Sequence, residues 1–160
     1  MLFVNVITVG KLKEPYLRSA VAEYSKRLQS FCRLKITEVD EEKTADNPQS
    51  SQIENTLEKE GSRILKHIGK NAFVISLCIE GKLYSSEELA EKLSAVAIDG
   101  ISEVDFIIGG SWGLSKSVKN SSDIRLSMSK MTFPHQLARV MLCEQIYRAF
   151  QINNGGKYHK

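Results

Sequence analysis

The sequence predicts an α/β fold: a mostly parallel sheet with helices on both faces. Three observations carry this. Short, β-branched apolar segments alternate with longer segments of 3.6-residue periodicity. The segment AFVISLCI (72–79) is apolar on both faces, as a central parallel strand must be. No internal repeat, low-complexity stretch or linker breaks the order, so residues 1–160 read as a single domain.

LFVNVITV is the first strand, ending at Gly10. Its lack of a basic lead and of a small-residue cleavage site argues against a signal peptide. A helix follows from about Pro15, where Leu17, Ala20, Val21, Tyr24, Leu28 and Phe31 form one apolar stripe. RLKITEV is the second strand, and DEEKTADNPQSS is a polar loop. The second helix runs from about Ser51 to Ile68, with Gly61 inside it at a cost that implies a closely packed neighbour. After the strand AFVISLCI, Ser85 and Glu88 stand at capping-box spacing and Gly100 closes a third helix. EVDFII is a buried strand ending at GGSWG; IRLSM is a weaker strand. The last helix is expected to use Thr132 as its N-cap, with Pro134 in the first turn.

Composition bounds the function. The chain has 160 residues, 42% hydrophobic and 26% charged, which suits one core and excludes a membrane span. Cys32, Cys78 and Cys143 are scattered, which implies a reducing compartment, here the cytoplasm. No Cys/His cluster has metal spacing, so no metal is expected. Residues 1–35 hold seven Lys/Arg against two Asp/Glu, residues 36–105 seven against fifteen, and residues 106–160 eight against two. Two basic ends around an acidic middle could form one positive face for a polyanion, or could be scattered over a solvated surface.

Three segments could carry chemistry. Gly109, Gly110 and Gly113 follow a buried strand, where parallel sheets bind ligands. The spacing is GGxxG without the acidic residue of a dinucleotide site, so a Rossmann cofactor is disfavoured. Met128, Met131 and Phe133 in LSMSKMTF could offer a soft surface for a purine, or plug the core. The two loops together would make a nucleoside-sized pocket. His135 and Arg139 share a helix face. Arg139 interrupts an apolar run, Leu137 to Cys143, so it needs a partner: a phosphate or carboxylate from outside is expected, with an internal acid as the alternative. Glu144 is better placed to pair with Arg148. Tyr158 and His159, after Gly155 and Gly156, either fray or fold back into a site.

TVGKLKEPY, IIGGSWGL, LSMSKMTFPHQLARVMLCEQIYRAF and the final YHK together resemble ribosomal RNA large subunit methyltransferase H, a family of the SPOUT superfamily. The resemblance spans essentially the whole chain. It implies a C-terminal deep trefoil knot, a homodimer, and S-adenosyl-L-methionine as cofactor. It implies methylation of N3 of a pseudouridine in the helix 69 loop of 23S rRNA, within assembled ribosomes. Carried onto this sequence, cofactor contacts fall on Leu77, Gly109, Gly110, Met128, Ser129, Lys130, Met131, Thr132 and Phe133. His135, Arg139, Tyr158 and His159 fall on the substrate side. Trp112 departs from the family pattern, which has a polar or acidic residue there. Such chemistry needs alignment and a proton acceptor, for which both His159 and His135 qualify. A non-enzymatic RNA-binding domain and a small-molecule nucleotide enzyme are the alternatives.

Overall fold

A computed structural model describes residues 1–160. The elements run β1 (Phe3–Val9), α1 (Pro15–Leu28), β2 (Arg33–Val39), α2 (Ser50–Leu65), β3 (Phe73–Leu83), α3 (Ser86–Ile98), β4 (Glu103–Ile108), α4 (Lys116–Asn120), β5 (Ile124–Ser127) and α5 (His135–Asn153). The five strands lie in the order β2-β1-β4-β3-β5, and every pairing is parallel. No helix is long and apolar enough to cross a membrane.

Strand periodicity divides the core. Val4, Val6, Ile75, Val104 and Phe106 face one side, against Leu28 of α1, Leu89 and Leu93 of α3, and Leu142 and Ile146 of α5. Ile7, Val9, Val74 and Ile107 face the other, against Ile64 of α2 and Val118 of α4. Each fully buried side chain of this kind contributes roughly 1.5–3 kcal/mol. The helices therefore cover both faces, as the alternation of periods predicts.

Local signals hold in most places. Ser85 Oγ accepts from Glu88 N at 3.1 Å while Ser85 N donates to Glu88 Oε2 at 2.7 Å, closing the capping box of α3. A Cβ on Gly61 would stand 2.4 Å from Ser115 Oγ, so the absent side chain is what lets α2 meet the start of α4. Two features differ. Helix α4 is a five-residue turn of helix with no sequence periodicity to announce it, capped by Ser115 Oγ accepting from Val118 N. Thr132 is not the N-cap of α5: Pro134 holds that position with φ −55° and ψ 137°, and His135 is the first helical residue. The proline keeps Phe133 out of the helical region and is itself extended, so the helix starts after it.

Arg139 has an internal partner, which corrects the expectation of one from outside. Its side chain is only 2% exposed, and Nη1 donates to Glu38 Oε2 of β2 at 2.7 Å. Nη2 donates to the carbonyl of Gly10 at 3.1 Å, while Nε finds no partner. The guanidinium thus ties α5 to the carboxyl ends of β1 and β2. Glu38→Ala should cost more stability than Arg139→Met, on the order of 3 kcal/mol against less than about 2. The first leaves a buried cation unpaired; the second leaves a half-exposed carboxylate that water can solvate. Urea unfolding of both variants measures the difference, and equal losses would contradict this account.

Candidate functional site

The carboxyl ends of β4 and β5, with the middle of β3 between them in the sheet, open into one cavity of about 580 Å³. Ligand sites in parallel sheets form at such ends. Ile108 and Leu126 form part of its floor, with the 109–113 loop on one side and residues 127–135 on the other. Strand β3 also contributes. Leu77 and Lys82 both pair with Leu126, so Cys78 to Gly81 leave the ladder, and Leu77, Cys78 and Ile79 reach the cavity.

The glycine loop is built to be thin. A Cβ on Gly109 would lie 2.3 Å from the carbonyl oxygen of Gly113, so no larger residue fits. Gly113 has φ +91°, which disfavours a side chain, and its N–H closes a turn on the carbonyl of Gly110 at 3.2 Å. In the facing loop Ser129 Oγ accepts from Met131 N at 3.0 Å and Ser127 Oγ donates to the carbonyl of Ser129 at 3.0 Å. These bonds hold the loop without an element of regular structure.

Of the residues assigned to a cofactor, Leu77, Gly109, Gly110, Met128, Ser129, Met131, Thr132 and Phe133 all line this cavity. Lys130 does not: its side chain is exposed, because its charged head stays in water. No Asp, Glu, Lys or Arg lines the cavity. Its polar groups are backbone amides, small hydroxyls and His135, a donor set that fits an uncharged heterocycle and a ribose beside a soft thioether-like chain. Burial holds the His135 imidazole below its ordinary pKa; Arg139 and Lys13 push the same way, and Glu41 opposes them. His135 is therefore a neutral ring at pH 7, able to accept a proton.

The residues expected on the substrate side do not converge within one chain. His135 lines the cavity, whereas Arg139 is buried and is not part of the lining. Tyr158 and His159 dock near the far end of α5, where Arg148 is thirteen residues beyond His135, about 20 Å along the axis. There the tail is ordered by a polar network. Tyr158 Oη donates to Glu144 Oε1 at 3.0 Å, and Arg148 donates to the same oxygen at 2.6 Å. Arg148 also approaches His159 Nδ1 at 3.1 Å and stacks over the Tyr158 ring at 4.7 Å. His159 Nε2 meets Glu87 Oε1 of α3 at 2.7 Å. The Glu144–Arg148 pair follows from its spacing; Arg148's link to the tail, and Glu87 more than seventy residues away, had no signal in sequence. Val140 and Met141 on α5, with Tyr24 and Tyr84, line a second hollow of about 460 Å³ that Glu144 also borders.

A fold with this sheet, and a cavity built from these two loops, defines a class. The chain belongs to the SPOUT methyltransferase family, whose model, described as a predicted SPOUT methyltransferase, matches residues 2–159; it is a methyltransferase. Proteins named ribosomal RNA large subunit methyltransferase H are similar to it throughout. That of Clostridium novyi is 53% identical and that of Bifidobacterium adolescentis 54% identical, each over 98% of this chain and 99% of the relative. A solved structure from Haemophilus influenzae Rd KW20, described as a "probable methylase family protein", superposes with a TM-score of 0.56 at 14% identity. It covers 98% of this chain and 70% of that one, and shows the likeness of fold.

The tail makes a pH prediction. Burial, then the Glu144 and Tyr24 hydrogen bonds, push the Tyr158 phenol up to about 12. A raised pKa means that the folded state holds the proton more tightly. The contribution to stability is complete below the ordinary phenol value of ~10 and is lost as pH rises through about 12. In an ultraviolet phenolate titration, Tyr158→Phe should remove the most alkaline step. If the most alkaline step survives the substitution, the Tyr158–Glu144 bond is absent in solution.

Proposed function

We propose that this chain methylates N3 of a pseudouridine in the helix 69 loop of 23S rRNA, in assembled ribosomes, using S-adenosyl-L-methionine. It would do so as a single domain over residues 1–160 whose C-terminal part is threaded as a trefoil knot, and as a homodimer. One observation carries the reading: the two loops bearing the family's sequence motifs are the two that enclose an uncharged cavity at one edge of the parallel sheet, beyond β4 and β5. The names of the relatives supply the substrate class.

Gly109, Gly110, Met128, Ser129, Met131, Thr132 and Phe133 would hold the cofactor, with Leu77 beside it. When bound, it supplies an electrophilic methyl group on a sulfonium, which needs no metal for transfer. The chain's own work is alignment, exclusion of water and removal of the N3 proton. Two imidazoles suit the last task. His135 is neutral at the cavity edge, and His159 is oriented by Glu87 and Arg148. Their pH–rate profiles as glutamine variants assign the base. Arg139 does not meet RNA; it positions the first turns of α5.

A dimer accounts for what one chain leaves apart. Leu137 is exposed, and Val140 and Met141 are half-buried, so α5 presents an uncovered apolar strip. A second copy laid on this strip would bring the tail of one chain to the cavity of the other.

Calorimetry should give saturable binding of S-adenosyl-L-methionine, weakened about tenfold or more by Gly109→Ala. Mass spectrometry of rRNA from a strain lacking the gene should lose one methyl on a uridine-derived base. Absence of cofactor binding by the wild-type chain would favour a non-enzymatic RNA-binding domain. Deleting Lys157 to Lys160 removes only the docked tail. Cofactor affinity should be kept within about twofold and the melting temperature lowered by only the loss of the Tyr158 and His159 contacts, while single-turnover methylation of ribosomes falls at least about a hundredfold. A wild-type rate would remove the tail from the site.

A further inference from the structure

Three large apolar side chains stand in water around one opening. Ile79 is 69% exposed, Trp112 46% and Met131 76%; Ile79 comes from the irregular stretch of β3 and the other two from different loops, and all three line the cavity. We propose that Trp112 is a stacking platform for an unpaired base of the RNA substrate, with Lys130 meeting an adjoining phosphate. This rests on the reading of the chain as an RNA methyltransferase.

The indole is set rather than loose. Its Nε1–H donates to Thr44 Oγ1 of the β2–α2 loop at 3.3 Å. That loop is itself pinned: Glu42 N donates to the buried Glu60 at 3.0 Å, and the Glu42 carboxylate pairs with Arg63 at 2.5 Å and Lys59 at 3.6 Å. The polar edge of Trp112 is thus satisfied within the chain, and what remains for a partner is ring surface. A fixed aromatic face beside a cofactor site suits a base removed from its stack, which is how loops of RNA are read.

Charge decides between an RNA and an apolar partner. Several carboxylates on this side are already neutralised by the chain: Glu38 by Arg139, Glu42 by Arg63, and Glu80 by Lys119. Lys130, between two cavity-lining residues, is exposed and makes no ion pair. Lys13 is likewise exposed and unpaired, and its backbone N–H is held by Gln136 of α5 at 3.1 Å, next to the cavity-lining His135. Glu41, near Gly10, stays free, so the positive charge is local to Lys130 and Lys13. An apolar protein surface would use the three exposed side chains but has no use for the lysines. A nucleic acid uses both.

The test is steady-state methylation of 70S ribosomes, paired with calorimetry for S-adenosyl-L-methionine. Trp112→Ala should raise KM for ribosomes about tenfold, the scale of one lost stacking contact, with kcat and cofactor affinity unchanged. Trp112→Phe should restore most of the loss. Lys130→Gln should weaken ribosome binding and reduce its salt dependence by about one ion. If Trp112→Ala weakens the cofactor in the same proportion, the indole stacks on the cofactor's adenine and the proposal is wrong. An unchanged KM also overturns it. A wild-type chain that neither binds the cofactor nor methylates ribosomes would sink the enzymatic reading itself, a result distinct from either outcome at Trp112.

Discussion

The buried bond between Arg139 and Glu38 fixes how the last helix sits, and the cavity follows from that. Helix α5 is apolar on nearly every side between Leu137 and Cys143. An apolar stripe orients a helix only when the opposite face is polar, because burial is non-directional. The guanidinium removes the rotational freedom that this leaves. It must meet a carboxylate on β2 and a carbonyl at the end of β1 together, and only one rotation and one height of α5 allow both. Burying the charge is costly, and the orphaned Nε adds to the cost. The return is a defined register for the helix whose first turn carries His135.

That register sets the width of the cavity. One wall is the 109–113 loop, whose shape is dictated by the close contact of Gly109 and Gly113. The other is the 127–134 segment, held at its start by β5 and at its end by α5. Its own hydrogen bonds are few and short-range. A tilt of α5 would move Phe133, Pro134 and His135 together, so a bond more than 100 residues apart in sequence controls the ligand-facing loop.

Much of this was legible in sequence where one residue type has one physical use. The strands, the α3 capping box, the purpose of Gly61 and both cavity loops could be read because each rests on local spacing or on the absence of a side chain. Helix α4 could not, since five residues carry no period. The start of α5 was misplaced because Thr132 is a good cap by type, while Pro134 sets the boundary by geometry. The partner of Arg139 was hidden for a different reason. Glu38 sits at an exposed position of an edge strand, where an acidic residue is ordinary. Only the parallel pairing of β1 with β2 brings it under α5.

The same logic separates the cavity from the tail cluster. The cavity has no charged lining, and the tail cluster is almost all charge: Glu87, Glu144, Arg148 and His159 around the Tyr158 ring. Placed side by side in one chain, these would interfere. An uncharged pocket keeps a low-dielectric surface for alignment, and a carboxylate near it would compete for its amides and admit water. Placing the cluster two-thirds of the way along a nineteen-residue helix keeps the two environments distinct. A rigid α5 cannot bring its two ends together, so under the proposed function the tail would serve the cavity of a second copy, with a second α5 running alongside. The apolar strip of Leu137, Val140 and Met141 lies between cavity and cluster, where such a contact would have to form.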